Sequence, residues 1–408
     1  MEFKSEKLAN GLDIIAEVNK CAKSTAVGFF VKAGSRDETE QVSGVSHFLE
    51  HMLFKGTERL NAFEVNEAFD RTGADFNAST SEENTVFYAA VLPEYLAEVT
   101  KLWIELMRPA LRDEDFGLEK NVIKEEIAMH KDTPSFDVVD RCRKLHFGQH
   151  PCGNSVLGSE ESIDSLASQQ MRDYFLGRYA PNNMVFACAG NFDWGEICST
   201  VAAACGNWQK QNVTRALDGC LGSKQKQRIQ KANLSREHIC LMSPSVSAQD
   251  AGRFAADLLA IIIGDSVGSR FYWELVDTAL AETAEMQFGP MDGTGVFCTY
   301  IRCSPGDVTK VLDIVRGIFE SLSRTGVTEE ELSKAKNKVL SALVIKNELP
   351  MGRLVDLGFN WTYLQQYRTI EEDITAVKAV GTDDIGVLIR QFNPGDFTQL
   401  SIGPAEPA

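Results

Sequence analysis

Two histidines and a glutamate in the order H-x-x-E-H, His47-Phe-Leu-Glu50-His51, lie inside an otherwise apolar stretch, and this constrains the chain more than any other feature. On a helix, His47 and His51 stand four residues apart and project from one face, one turn above the other. Val45, Phe48, Leu49, Met52, Leu53 and Phe54 make the helix apolar on most sides, as expected of a buried one. Burying two imidazoles and a carboxylate without partners is costly. The fold must therefore bring something to them, and a metal ion gripped by both imidazoles removes the cost. Glu50 falls on nearly the same face, close enough to take a proton from a water activated by that metal. The order is the reverse of the H-E-x-x-H of other zinc sites.

Two histidines alone hold a catalytic zinc poorly, so a third protein ligand is expected, with the fourth position left for water. The candidates lie on a long charged helix predicted over Asp113 to Asp132, which stops before Pro134. There, Glu119-Lys-Asn-Val-Ile-Lys-Glu125-Glu126 places Glu119 and Glu126 two helical turns apart on a shared face. Glu125 points elsewhere and reads as a solvated neighbour. Two histidines with one glutamate suit Zn2+ in an open hydrolytic centre, and also admit cobalt or manganese.

With 408 residues, the chain is long for a single core, and two domains are expected. The net charge of −17 argues against nucleic acid and against an anionic membrane surface as partners, since both need a basic surface. None of the ten cysteines forms a C-x-x-C pair, which reads as reduced, mostly buried thiols rather than a disulfide frame. Met1 to Gly11 lacks an apolar signal core and enters a hairpin with an Asn10-Gly11 turn. The longest apolar runs, such as Leu258 to Ile263, are too short to span a bilayer. A cytoplasmic location is the expectation.

The first half alternates strands and helices. A buried strand is predicted over Ser24 to Lys32, a helix over Asn61 to Arg71 with Asn61 as its cap, and strand material over Phe76 to Leu92. A helix over Glu94 to Met107, a strand over Asn183 to Gly190 and a helix from Trp194 to Ala204 complete it. Between Asn207 and Asn233 the chain turns polar, giving a boundary. The order then recurs, with a strand at His238 to Met242, helices at Arg253 to Ile263 and Ser269 to Val276, two strands, and a helix at Asp307 to Arg324. An echo at an offset of 216 pairs Lys120-Asn121 with Lys336-Asn337 and Pro134 with Pro350. These features predict an α+β protein of two duplicated domains, each a mostly antiparallel sheet with helices on one face. The expected division is residues 1–207 as the metal-binding domain, 208–232 as a linker, and 233–408 as a repeat without the metal motif.

With these motifs, the chain resembles the pitrilysin-type zinc metallopeptidases, or inverzincins, which include insulin-degrading enzyme and mitochondrial processing peptidase. The resemblance spans essentially the whole chain and is nearest to the single-copy bacterial members and the catalytic processing-peptidase subunit. His47-Phe-Leu-Glu-His-Met-Leu-Phe-Lys-Gly-Thr57 is close to the family wording, and Glu119 to Glu126 matches its second signature. The resemblance implies a zinc metalloendopeptidase in which His47, His51 and Glu126 hold Zn2+, Glu50 is the general base and Glu119 is a supporting carboxylate. Asn77-Ala78-Ser-Thr80-Ser-Glu-Glu83-Asn-Thr85 resembles the family's edge strand, to which an extended peptide adds beside the metal. Asn77, Ala78 and Glu83 are the substrate-binding residues that this implies.

One segment departs from the family pattern. Where active members carry S-R-L-F-x-E-I-R-E-x-x-G-L-A-Y-S, this chain has Ser269-Arg-Phe-Tyr-Trp-Glu-Leu-Val276, and Glu282 stands at the tyrosine position. An aliphatic group and an anion replace two donors that polarise a carbonyl, which weakens transition-state stabilisation. The expected partners are a peptide or unfolded polypeptide and a second homologous chain, as a homodimer or as a heterodimer whose other subunit carries the arginine and tyrosine. The alternative is a non-catalytic or partner-dependent subunit of a heteromeric assembly, like respiratory-complex core proteins.

Overall fold

Strand β1 (Glu2–Lys7) turns back on β2 (Asp13–Val18) through Asn10 and Gly11, whose φ of +92° suits a residue without a Cβ. The computed structural model describes residues 1–405, so the last three residues of the expected second domain lie outside the described residues. The first half continues through β3 (Thr25–Val31), α1 (Val45–Leu53), α2 (Ala62–Thr72), β4 (Asp75–Thr80), β5 (Thr85–Val91), α3 (Leu96–Leu106) and α4 (Asp113–Asp132). It ends with α5 (Pro134–Phe147), α6 (Glu160–Ser165), α7 (Ser168–Arg178), β6 (Met184–Gly190) and α8 (Trp194–Cys205). The second half runs β7 (Lys226–Gln230), β8 (Glu237–Ser245), α9 (Arg253–Gly264), β9 (Ala281–Met291), β10 (Thr294–Cys303), α10 (Val308–Thr325) and α11 (Glu329–Asn347). It closes with α12 (Pro350–Leu364), α13 (Ile370–Ala379), α14 (Thr382–Gln391) and β11 (Thr398–Gly403). Among the described residues, no helix is long and apolar enough to cross a membrane.

The duplication appears in strand order. One sheet runs β1-β2-β6-β3-β5-β4 and the other β7-β11-β8-β10-β9. Apart from the added β1, the two match strand for strand, each with one parallel pair (β2 with β6, β7 with β11) and otherwise antiparallel neighbours. The offset of 216 carries the start of α4 onto that of α11, and Pro134 of α5 onto Pro350 of α12. At the same offset, Glu119 becomes Ala335 and Glu126 becomes Ala342, so the second copy has lost its carboxylates along with its histidines.

Two features differ from the sequence expectation. The chain forms two compact units, but each is built from three segments: 1–127, 154–215 and 344–370 in the first, and 128–153, 216–343 and 371 onward in the second. The expected linker is also partly structured, since it contains β7, and Arg215 within it is fixed on Asp37 at 2.6 and 3.0 Å within the first unit. Helices, moreover, cover both faces of each sheet. Every residue of β2, β3, β6 and β8 is buried, which requires apolar cover on both sides. In the first unit, the broad helical layer packs on one face through Phe48, Phe69 and Trp103. The other face (Ile15, Ala26, Phe30, Val185) lies under Leu354 and Leu357 of α12. In the second unit, Val138 and Cys142 of α5 play this part over Cys240, Met242 and Leu400. Both helices open on a proline, Pro134 or Pro350, in the first turn, where a missing N–H costs nothing, so each proline starts a new helix as well as ending the one before it. Gly358 shows how tightly α12 is seated, because a Cβ there would come within 2.1 Å of the Phe30 ring.

Candidate metal centre

Helix α1 begins at Gly44, whose φ of +89° turns the chain into it. The carboxylate of Glu38 accepts the N–H groups of Gly44 at 2.7 Å and Ser46 at 2.8 Å, satisfying donors that the first turn leaves without partners. Burial pushes the Glu38 pKa up to about 7. Val45, Phe48, Leu49 and Met52 enter the core of the first unit, which leaves His47 and His51 on the remaining face with their rings 4.6 Å apart.

Helix α4 lies against this face through a buried stripe of Phe116, Glu119, Ile123 and Ile127. Phe116 stacks on Phe48 at 4.7 Å and sets the distance between the helices. Glu119 is only 3% exposed. One of its oxygens lies 2.8 Å from Nδ1 of His51, and the other lies 2.5 Å from the ammonium of Lys55. Burial raises the Glu119 pKa, but hydrogen bonds from His51 and Lys55 outweigh it and hold the group below the usual carboxylate value. A carboxylate can only accept, so Nδ1 of His51 carries the hydrogen and Nε2 keeps its lone pair for a metal.

Glu126 faces both imidazoles, 3.6 Å from Nε2 of His47 and 3.5 Å from Nε2 of His51. The three ligating atoms all lie within 4.8 Å of one another, and no other such group of histidine, cysteine or acidic side chains occurs among the described residues. The Glu126 separations are long for hydrogen bonds. They are close to the edge of a tetrahedron around zinc, about 3.3 Å for bonds of 2.0–2.1 Å. The donor set of two imidazole nitrogens and one carboxylate oxygen therefore fits zinc.

Glu50, three residues after His47 and directly before His51, receives the Thr80 hydroxyl at 2.5 Å. Burial raises its pKa, with the Thr80 hydrogen bond opposing. Burial draws the His51 pKa down, but Glu119, Glu126 and Glu50 together leave it raised. His47, Glu50 and His51 on α1 and Glu119 and Glu126 on α4 thus lie together in one place.

The expected substrate-binding residues divide. Asn77 and Ala78 lie on β4, the outermost strand of its sheet, with no further strand on its far edge among the described residues. Glu83 does not face that edge. It is 2% exposed, pairs with Arg36 at 2.5 Å and accepts the Tyr363 hydroxyl at 2.8 Å, so it is a buried anchor of the β4–β5 turn. In the second unit, Val276 ends a π-helical turn and packs on the core, while Glu282 on β9 is held by Arg236 and by Arg302 at 2.8 Å. Two residues stood inside the quoted motifs without a role assigned to them, Lys55 and Thr80. Their partners, Glu119 and Glu50, lie on other elements.

The insulinase model (peptidase family M16) matches residues 13–160, and the model described as the peptidase M16 inactive domain matches residues 165–339. A Bacillus subtilis protein called uncharacterized zinc protease YmxG is 29% identical over 97% of this chain and 97% of its own length. An uncharacterized zinc protease of Mycobacterium tuberculosis is 28% identical, over 97% of this chain and 92% of its length. Among solved structures, a protease from Helicobacter pylori superposes with a TM-score of 0.90 at 21% identity, covering 99% of this chain and 100% of that one. A chain of complex III2 from Candida albicans reaches 0.84 at 17% identity, covering 98% and 95%. At such identities the structural likeness speaks for the two-domain fold. With zinc as its metal and both halves of the chain matched, the family is settled: the chain belongs to the insulinase family, peptidase family M16, the pitrilysin-type peptidases.

Proposed function

We propose that the chain is a zinc-dependent endopeptidase that cleaves peptides held in extended conformation. One observation carries the reading: His47, His51 and Glu126 converge within 4.8 Å, with Glu50 between the two histidines on α1. A zinc ion held by these three residues supplies polarisation of the peptide carbonyl and acidity of water. Glu50 takes the proton of the attacking water and passes it to the departing amine. Glu119, itself held by Lys55, fixes the His51 ring and its tautomer. The open edge of β4 offers backbone hydrogen bonds to a peptide of almost any sequence, with Asn77 and Ala78 as the contacts.

A second reading rests on Val276 and Glu282. Neither can donate to a developing oxyanion, and Glu282 is already committed to two arginines. In this form, the chain carries the metal and the base, and a homologous subunit supplies the arginine and tyrosine.

Glu50→Gln tests the base. Zinc at about one per chain should persist in the variant while peptide cleavage is abolished. Normal cleavage by the variant would remove Glu50 from the mechanism. Assaying the wild-type chain alone and mixed with a homologue that carries the donor pair separates the two readings. Turnover that resists a chelator in both assays would sink both.

A further inference from the structure

We infer that Thr80 is a positioning residue for Glu50, so that the strand offered to the peptide also sets the carboxylate that moves the proton. This rests on the peptidase reading above for its consequence, but its geometry stands apart from it. The hairpin of β4 and β5 fixes which backbone groups face outward. Ser81 donates its N–H to the carbonyl of Asn84 at 2.8 Å, which makes these two a hydrogen-bonded pair. Such pairs alternate along an antiparallel ladder. Ser79 opposite Val86 and Asn77 opposite Tyr88 therefore bond across the hairpin, while Thr80, Ala78 and Phe76 turn their N–H and C=O groups to the open edge. The Ala78 N–H bears this out by donating to Oδ1 of Asn77 at 2.8 Å rather than into the ladder.

Thr80 thus stands at the open edge, and its hydroxyl goes to Glu50. Its hydroxyl lies 2.5 Å from Oε2 of Glu50, within the range of a hydrogen bond to an ionised acceptor. The hydroxyl is backed by Oγ1 of Thr85 at 3.4 Å, whose own hydrogen goes to the carbonyl of Ala33 at 2.9 Å. Thr85 Oγ1 can then only accept from Thr80, and the charged carboxylate at 2.5 Å is the nearer and stronger acceptor for the Thr80 hydrogen. A strand joining β4 along the outward backbone groups of Phe76, Ala78 and Thr80 reaches the end of β4 at the residue that holds Glu50. The added strand therefore runs beside Glu50, whose carboxylate is held from the same β4 edge.

The test uses the zinc-loaded full chain with Thr80→Val, which keeps the shape and removes the hydroxyl, and Thr80→Ser, which keeps the hydroxyl. On an unstructured peptide carrying a quenched fluorophore, Thr80→Val should lower kcat about 10–100-fold while KM and zinc content stay at the wild-type level. Thr80→Ser should recover most of kcat. A change in KM alone, or equal losses in both variants, would overturn the assignment. A second measurement does not depend on turnover. In urea denaturation of wild type, Thr80→Val, Glu50→Ala and the double variant, the two single costs should be non-additive. Strict additivity would overturn the inference even if the peptidase reading held. A wild-type chain without peptide turnover but with a clear coupling would sink that reading and leave Thr80 as the residue that positions Glu50.

Discussion

Glu119 holds the Nδ1 hydrogen of His51 at 2.8 Å with one carboxylate oxygen and the Lys55 ammonium at 2.5 Å with the other. Both oxygens are therefore committed, and the imidazole is kept in one orientation and one tautomer. In Glu119→Gln, only one acceptor remains for two donors, and the amide NH2 is set against either a ring N–H or an ammonium. Zinc affinity should fall about 10–100-fold with the fold unchanged. Competition against a chromophoric chelator measures it, and an unaltered affinity would show that His51 is oriented by something else.

Arg353 of α12 makes a two-pronged ion pair with Glu17 of β2, at 2.8 and 2.6 Å, and Tyr367 donates to the same carboxylate at 2.8 Å. Both charged side chains are almost fully buried. Arg353→Met leaves an anion in the interior, at a cost of about 3–5 kcal/mol. Adding Glu17→Gln to that variant should recover a large part of the loss. Urea denaturation of the single and double variants decides it, and a single-variant cost below about 1 kcal/mol would mean that the pair does not anchor the helix.

Ala78 offers a clean probe of the peptide edge, because its N–H takes no part in the β4–β5 ladder. Proline is tolerated at edge positions whose N–H faces outward. Ala78→Pro should therefore leave the sheet intact and remove the outward donor. KM for an extended peptide should rise several-fold while zinc content and melting temperature change little. An unaltered KM would mean that the peptide is held elsewhere.

How far the sequence reveals this arrangement depends on the range over which the information lies. Helix α4 was predicted over Asp113 to Asp132 and occupies those residues, because its acidic first turn, its periodic stripe and the proline beyond it are all local signals. The histidine helix and its carboxylate partners were legible for a similar reason: burying ligating groups on an apolar helix requires a convergence. The exchanged helices α5 and α12 were not, since no local pattern says which sheet an amphipathic helix covers. Glu83 misled for the same reason, as Tyr363, the donor to its carboxylate, lies 280 residues further on. Thr80 sat inside a quoted motif, but its role depends on which way an edge-strand residue turns, and that is set by the pairing register of the hairpin.

His146 of α5 supplies a pH dependence whose sign can be worked out. The ring is 2% exposed, its Nδ1 lies 3.0 Å from Oγ1 of Thr398, and Gly222 packs so closely on it that a Cβ would come within 2.2 Å. Burial lowers its pKa from 6.5 to about 4. Between those values the unfolded chain binds a proton that the folded chain refuses. The stability present above pH 6.5 is therefore lost as pH falls toward 4, by about 3 kcal/mol at 1.36 kcal/mol per unit. Glu38 acts in the opposite direction: burial raises its pKa to about 7, so it favours the folded state as pH falls from 7 toward 4.5. The whole-protein curve therefore mixes opposed contributions, and the difference between a variant and the wild type isolates one of them. His146→Gln keeps a donor and an acceptor for Thr398 and cannot titrate. Its stability relative to wild type should rise steadily as urea denaturation is moved from pH 7 to pH 5. A constant offset across that range would show that the imidazole is protonated as readily in the folded chain as in the unfolded one.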